Sequence, residues 1–382
     1  MTHAINLLDL DNVSNQLLIT LFNDNPDIND WLPGIYSVNS QLISISHRII
    51  KHLNSTSEKS VYEVLDHGSY GNGCFGSLYL SKVTLVPNEH KNELIVKIKS
   101  EEKQRLVKIQ DFKYFSKERA AKEVYNLGQA GFFNCKPLSV NETQSFITMR
   151  KLPGETLHKI IEANKLTLLE RFELTKALVL ALKDQVHDHD LIHRDIKPLN
   201  IMVNKEYEIR YIDFALAILK NYDDRVDKLR GCLPYASPEA YSLYKCTNVK
   251  SDIYALGRAL MMLWGDDYNN NSDFTPKDPV YSAKNVSFVT LFDRMDEIPA
   301  CHMEIRALLV TMLHADAEKR PYFDEIMDSL NLLNDKLQPI ANPKKKSTMF
   351  LKSESLIRYD KGILDNISDE EPEYGCKSYY GF

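Results

Sequence analysis

The sequence predicts an α+β protein of two lobes, a small β-rich one followed by a larger helical one, and three observations predict it. From Val61 to Lys99 short alternating apolar and polar runs are separated by glycines, as in Ser77–Thr84 and Glu93–Ile98, the pattern of half-buried strands. From Thr167 onward apolar residues recur at helical spacing, and helical patterns dominate as far as Leu337. The length of 382 residues, 43% hydrophobic and 26% charged, suits one two-lobed enzyme with extensions and lies in the ordinary globular range.

Residues 1–58 carry the apolar periodic runs Asn15–Phe22 and Leu42–Leu53, broken by the polar segment Asn23–Asp30, and read as a helical extension that packs onto the domain after it. Residues 59–150 form the first lobe, in which the strands above precede a helix over Ser116–Gly128 and a strand over Phe146–Leu152. Residues 151–338 form the second lobe, opening on a long helix over Thr167–Asp188. Residues 339–382 have a basic run at Lys344–Lys346, an acidic run at Asp369–Glu373 and few apolar clusters, the composition of a flexible tail.

Composition excludes several function classes. A formal charge of −6, from 47 basic and 53 acidic residues, argues against nucleic acid or an anionic membrane as the main partner. The six cysteines stand far apart with no CxxC pair, so neither a zinc site nor a disulfide framework is expected and a reducing compartment fits. No stretch approaches the roughly 20 apolar residues that span a bilayer, and Met1–Leu10 lacks the basic start of a secretory signal. The expectation is a soluble, cytoplasmic protein without stable membrane insertion.

The strongest chemical signal is His193-Arg194-Asp195-Ile196-Lys197-Pro198-Leu199-Asn200, followed after the strand-like Glu208–Ile212 by Asp213-Phe214-Ala215. This pair of motifs resembles the catalytic loop and metal-binding motif of eukaryotic-type Ser/Thr protein kinases. The resemblance implies the bilobal kinase fold, ATP with Mg²⁺ (or Mn²⁺) as cofactor, and a protein substrate. It also implies roles. Asp195 would orient the substrate hydroxyl, Lys197 would steady the transferring phosphate, and Asn200 and Asp213 would hold the metal through oxygen ligands.

Upstream, Gly71, Gly73 and Gly76 form a GxGxxG between two strand-like runs, Leu78–Leu80 being the second. A dinucleotide fingerprint would require a helix there, so a strand-turn-strand loop covering nucleotide phosphates is the better reading. A strand lysine should pair with the α- and β-phosphates, and Leu94–Lys99 offers Lys97 and Lys99 on one face. Lys97 is preferred because it leaves apolar Ile95 where kinases place a small residue against adenine; Lys99 is then expected to be solvated. The resemblance makes Glu123 the lysine's carboxylate partner, with Glu118 in reserve. It makes Met149 the gatekeeper and Arg150–Gly154, including Leu152, the adenine-binding hinge.

Gly231–Glu239 resembles the segment that closes a kinase activation loop, with Cys232 and Ser237 in place of Thr and Ala. Ser251–Gly257 resembles the buried helix whose aspartate braces the catalytic loop, and Arg320-Pro321 is placed to pair with Glu239. The resemblance covers roughly Val61–Leu337 and rests on the order and joint spacing of its motifs.

Two departures stand out. Ala215 replaces the glycine after Asp213-Phe214, which restricts the backbone and should suppress flipped inactive states. Between Phe214 and Leu233 there is no Ser or Thr, but Tyr222 and Asp223, Asp224 and Asp227 are present, so an aspartate could supply standing negative charge to Arg194. Three readings compete: a protein Ser/Thr kinase, a small-molecule kinase on a related fold, and a nucleotide-binding pseudokinase scaffold. Lys197 two residues after Asp195, and the presence of every catalytic residue type, favour the first. The acidic Asp369–Glu373 before Tyr379-Tyr380-Gly381-Phe382 also resembles the C-terminal translocation signals of bacterial effector kinases, which implies secretion into a host cytoplasm.

Overall fold

A computed structural model describes residues 2–337, apart from 54–58, 74–75, 89, 132–137, 224–230, 233, 243–244 and 267–278. Residues 1–333 form one compact unit; of a second, 334–382, only the end of the last helix is described.

The extension is not a set of helices. It contains β1 (His3–Ile5), α1 (Asn12–Asp24), β2 (Asp30–Trp31), β3 (Gly34–Val38), β4 (Gln41–Ile45) and β5 (Ile49–Leu53). The helix expected near Asn15–Phe22 is present as α1, capped by Asp11, whose carboxylate accepts from the Ser14 N–H at 2.6 Å. The one expected over Leu42–Leu53 is two strands. Buried Ile43 and Ile45 alternate with Leu42 and Ser44, and these β-branched side chains with a period of two favour a pleated surface once β3 pairs alongside. Leu18, Leu21 and Phe22 of α1 pack on Trp31, Val38, Ile43 and Ile45, and the Phe22 ring stacks on Tyr62 at 4.1 Å.

The next elements are β6 (Ser60–Leu65), β7 (Gly71–Gly73), β8 (Gly76–Asn88), β9 (Glu93–Ile98), β10 (Arg105–Asp111), α2 (Lys117–Gln129), β11 (Ser139–Val140) and β12 (Gln144–Arg150). The described strands form a nine-stranded sheet of order β11-β12-β10-β8-β6-β5-β2, with β7 and β9 also on β8. β8 is long enough to take two partners end to end on one side, β10 along Ser77–Ser81 and β9 along Val83–Asn88. The sheet curls until its two edges meet. Ser139 Oγ donates to the Lys51 carbonyl at 3.2 Å, Asn29 Nδ2 to the Val140 carbonyl at 3.1 Å, and Arg48 joins Asp30 to Gln144 at 2.7 Å each.

Helices dominate thereafter. The elements are β13 (Glu155–Thr156), α3 (Leu157–Ala163), α4 (Leu168–Gln185), β14 (Leu191–Ile192), β15 (Ile201–Val203), β16 (Ile209–Tyr211), β17 (Ile218–Leu219), α5 (Val249–Leu263), α6 (Pro279–Lys284), α7 (His302–Met312) and α8 (Phe323–Leu337). Thr167 and Glu170 form a reciprocal capping box that starts α4. α5 is buried on nearly every side, with α4 and α7 among its neighbours, which suits it to brace the loops above. Among the described residues no helix is long and apolar enough to cross a membrane.

Candidate active site

The loop between β14 and β15 carries Asp195, Lys197 and Asn200, and α5 holds it from below. Asp252 accepts from the backbone N–H groups of His193 at 2.7 Å and Arg194 at 2.9 Å, and its carboxylate lies 3.3 Å from His187 Nε2. Arg194 has a φ of 64°, a conformation that costs a non-glycine residue free energy and is kept here by these charge-assisted hydrogen bonds. The His193 ring packs on Phe214, centroids 4.7 Å apart, and its Nε2 meets the Ile212 carbonyl at 3.2 Å; burial pushes its imidazole below the ordinary value.

Asp195 is 3% exposed. Its Oδ2 accepts from Lys197 Nζ and from Asn200 Nδ2, both at 2.8 Å, while its Oδ1 is buried with no hydrogen-bond partner among the described residues. Burial raises the Asp195 carboxyl above the usual carboxylate range, against the pull of Lys197. A buried acceptor left unsatisfied costs about 1–3 kcal/mol, and such a group is a functional candidate when it faces a site.

The lysine of the site is Lys108, and this corrects the sequence reading. Lys108 Nζ on β10 donates to Glu123 Oε1 on α2 at 2.6 Å and to Asp213 Oδ1 at 2.8 Å. Burial alone would lower its ammonium, but Asp213 and Glu123 hold it above the ordinary value. The same lysine holds the Asp213 carboxyl below its usual range against burial, whereas burial keeps Glu123 above its own. Lys97 is exposed on β9, beside Thr84, and is not brought to this cluster. Because β9 and β10 occupy opposite ends of β8, a lysine on the first strand after the hairpin cannot reach Glu123. Lys99, expected to be solvated, is instead half-buried in an ion pair with Glu63. The missed signal was the second alternating run, Arg105–Asp111, whose lysine lies much nearer the helix in sequence. Glu118, the reserve carboxylate, sits in the first turn of α2 and not in the cluster.

Gly71 and Gly73 lie in β7 and pair with Leu78 and Gly76 of β8, so the glycine run is the expected hairpin, with its tip at 74–75 outside the described residues. Gly76 has a φ of 148°, and a Cβ there would come within 2.5 Å of the Ile109 carbonyl oxygen. Met149 stands directly across from Leu106, two residues before Lys108 and on its face of β10. Leu152 follows on a segment tied down by Lys151 N–H to the Gln104 carbonyl at 3.0 Å. At Gly154, φ 99°, a Cβ would meet the Val203 carbonyl oxygen at 2.1 Å, so the turn into the second lobe admits only glycine.

Further down, Arg320 pairs with both oxygens of Glu239, at 2.7 and 2.9 Å, and Ser251 Oγ donates to Glu239 at 2.6 Å. This pins the segment that follows the activation loop onto α5. Within that loop Ala215 is buried against Phe115 and Ala120, and Asn126 Nδ2 of α2 donates to the Ala217 carbonyl at 2.8 Å, fastening α2 to the chain beyond Asp213. Of the aspartates expected to supply charge, Asp223 is exposed and accepts from Cys246 Sγ at 3.4 Å; Asp224 and Asp227 lie outside the described residues. The tail, with its resemblance to a translocation signal, also lies outside them.

The donor set suits a hard divalent cation. Asn200 commits its amide nitrogen to Asp195, which leaves its carbonyl oxygen as the acceptor, and Asp213 has Oδ2 beyond the oxygen that Lys108 takes. Among the described residues no group of three His, Cys, Asp or Glu side chains could hold a metal on its own.

Comparison with known proteins covers the part of the chain that carries the site. A family model described as "Protein kinase domain" covers residues 66–330. An Arabidopsis thaliana MDIS1-interacting receptor like kinase 2 is 29% identical over 188 residues, 46% of this chain and 18% of its own. A probable serine/threonine-protein kinase PknB of Lactococcus lactis is 34% identical over 125 residues, 32% of this chain and 20% of its own. A calcium and calcium/calmodulin-dependent serine/threonine-protein kinase of Pisum sativum is 34% identical over 113 residues, 29% and 21% respectively. The matched stretch thus spans about a fifth of each relative. With most of its length inside the family model, and with Asp195, Asn200, Asp213, Glu239, Asp252 and Arg320 all in the family's order, the chain belongs to the protein kinase family.

Proposed function

We propose that this chain is a Ser/Thr protein kinase that transfers the γ-phosphate of Mg-bound ATP to a protein hydroxyl. The observation that carries this reading is Asp195 Oδ1, a buried carboxylate oxygen with no partner among the described residues, next to an oxygen held by Lys197 and Asn200.

In this reading Asp195 accepts the hydroxyl's hydrogen bond and aims the oxygen for in-line attack. Lys197 offsets negative charge beside it. Lys108, in place of Lys97, pairs with the α- and β-phosphates, and Glu123 fixes where its ammonium stands. Gly71, Gly73 and Gly76 bring backbone N–H groups close to the phosphates, and Met149 and Leu152 bound the adenine. Asn200 and Asp213 would hold Mg²⁺, which when bound neutralises charge on the phosphates. Catalysis of this type is positioning plus electrostatics, which is what a rigidly braced loop can supply. The pinned segment at Glu239 supports a peptide rather than a small alcohol as acceptor.

The test is incubation of the full chain with labelled ATP and Mg²⁺, alone, with a generic basic protein, and with small alcohols, followed by phosphosite mapping. Label on Ser and Thr of protein, abolished by Asp195→Ala, is expected. ATP binding without transfer would overturn the reading in favour of a scaffold, and label confined to the alcohols in favour of a small-molecule kinase.

A further inference from the structure

We infer that Gln110 is a positioning residue for Glu123, and through it for Lys108, acting in a buried relay with Ser145. The inference rests on the reading of Lys108 as the phosphate-pairing lysine.

Successive residues of a strand alternate faces, so Gln110, two residues after Lys108, points to the same side of β10, where Glu123 arrives from α2. Each oxygen of that carboxylate has its own donor: Lys108 Nζ reaches Oε1 at 2.6 Å and Gln110 Nε2 reaches Oε2 at 2.8 Å. The amide is oriented in turn by Ser145, directly across the sheet on β12, whose Oγ donates to Gln110 Oε1 at 3.0 Å. A carboxylate needs a donor, so the amide nitrogen faces Glu123 and its oxygen faces the serine. Gln110 and Ser145 are fully buried and Glu123 is 1% exposed, so no bulk water substitutes for any of these bonds.

An apolar residue would pack α2 equally well. A glutamine there is tolerated only because both ends of its amide are paired, and the end that matters faces a carboxylate whose ionised form is disfavoured by burial. The need for a second donor follows from the division of Lys108 between two acids. Lys108 serves Asp213 as well as Glu123, so Glu123 held by Oε1 alone would be free to turn about its terminal torsion and carry the ammonium with it. Two-point attachment removes that freedom.

The full chain is compared with Gln110→Met, Gln110→Glu and Ser145→Ala by two readouts across pH: kcat/KM for MgATP, and hydrogen-exchange protection of α2 without nucleotide. Gln110→Met should lower kcat/KM about tenfold and loosen α2, and Ser145→Ala should do the same about threefold, both with cooperative thermal unfolding retained. In Gln110→Glu the new carboxyl faces Glu123 and Lys108, with Asp213 beyond the lysine. It can donate to Glu123 only when protonated, so activity and α2 protection relative to wild type should rise as pH falls. A ratio that does not change with pH would overturn the inference, as would full activity and protection in Gln110→Met, or loosening of α2 in that variant with kcat/KM for MgATP unchanged. Should Gln110→Met fail to fold, Ser145→Ala and the Gln110→Glu pH ratio decide. Were the wild type to transfer no phosphate, the functional reading would fall, while α2 protection in the nucleotide-free chain would still test the relay.

Discussion

Two buried glutamates in the first half of the chain have opposite fates. Glu63 on β6 and Glu123 on α2 are each 1% exposed, and each faces a lysine. Around Glu63 both carboxylate oxygens are met, Oε2 by Lys99, by Ser81 Oγ at 2.6 Å and by Thr84 Oγ1 at 3.1 Å, and Oε1 by His52 Nε2 at 3.3 Å. Burial alone would raise its carboxyl, but His52 and Lys99 pull it down to about 2. Glu123 shares its lysine with a second acid, and its carboxyl stays raised. A structural cluster is saturated and fixed; the cluster at the cleft is left short of positive charge by one acid. An arriving cation can make good that shortage, which accords with the role proposed for these residues.

The largest expected effect breaks the comparison at Lys108. Lys108→Met should lower phosphotransfer on the order of 10²–10³-fold, read as initial rate with labelled ATP, because the phosphates lose a preorganised charge. Asp195→Asn should cost a similar factor while the thermal midpoint stays equal or rises. A carboxyl whose folded value is raised opposes folding at neutral pH, and that penalty fades only as pH falls, so removing the charge relieves it. A clear fall in midpoint would mean that Asp195 is structural.

At Glu63 the prediction inverts. Glu63→Gln should leave the turnover of folded molecules unchanged but reduce stability by about 2 kcal/mol, read by urea unfolding at pH 7. The drop of its carboxyl from 4.5 to about 2 is worth roughly 3 kcal/mol, of which Lys99, lowered by its own burial, returns part. The sign is that of a depressed carboxylate: the stabilisation is complete above about pH 4.5 and disappears as pH falls toward 2, so wild type and variant should converge in acid. The smallest effect sharpens the contrast. Lys97→Met, on the exposed end of β9, should keep activity within about twofold of wild type; a loss comparable to that of Lys108→Met would restore Lys97 to the site.

Much of the second lobe was legible because its information is local. His193–Asn200 and Asp213 lie on two loops joined by a short hairpin, so their relative placement follows from a few residues of spacing, and Asp252, Glu239 and Arg320 follow in an order that insertions elsewhere do not disturb. The extension was misread where Ile43, Ile45 and Ile49 offered apolar spacing that either period could claim; only the presence of β3 and β6 as partners settled it.

By itself, then, the sequence determined the class of fold, the catalytic loop and the acids around it, since short contiguous motifs carry their own geometry. Which lysine joins Glu123 was decided by tertiary structure, although the run Arg105–Asp111 offered a candidate nearer the helix. Both Lys97 and Lys108 stand on alternating strands of similar composition, and what separates them is that β8 receives β9 at one end and β10 at the other. Strand pairing is a contact between distant residues, and no local pattern encodes which end of a long strand a later one will join.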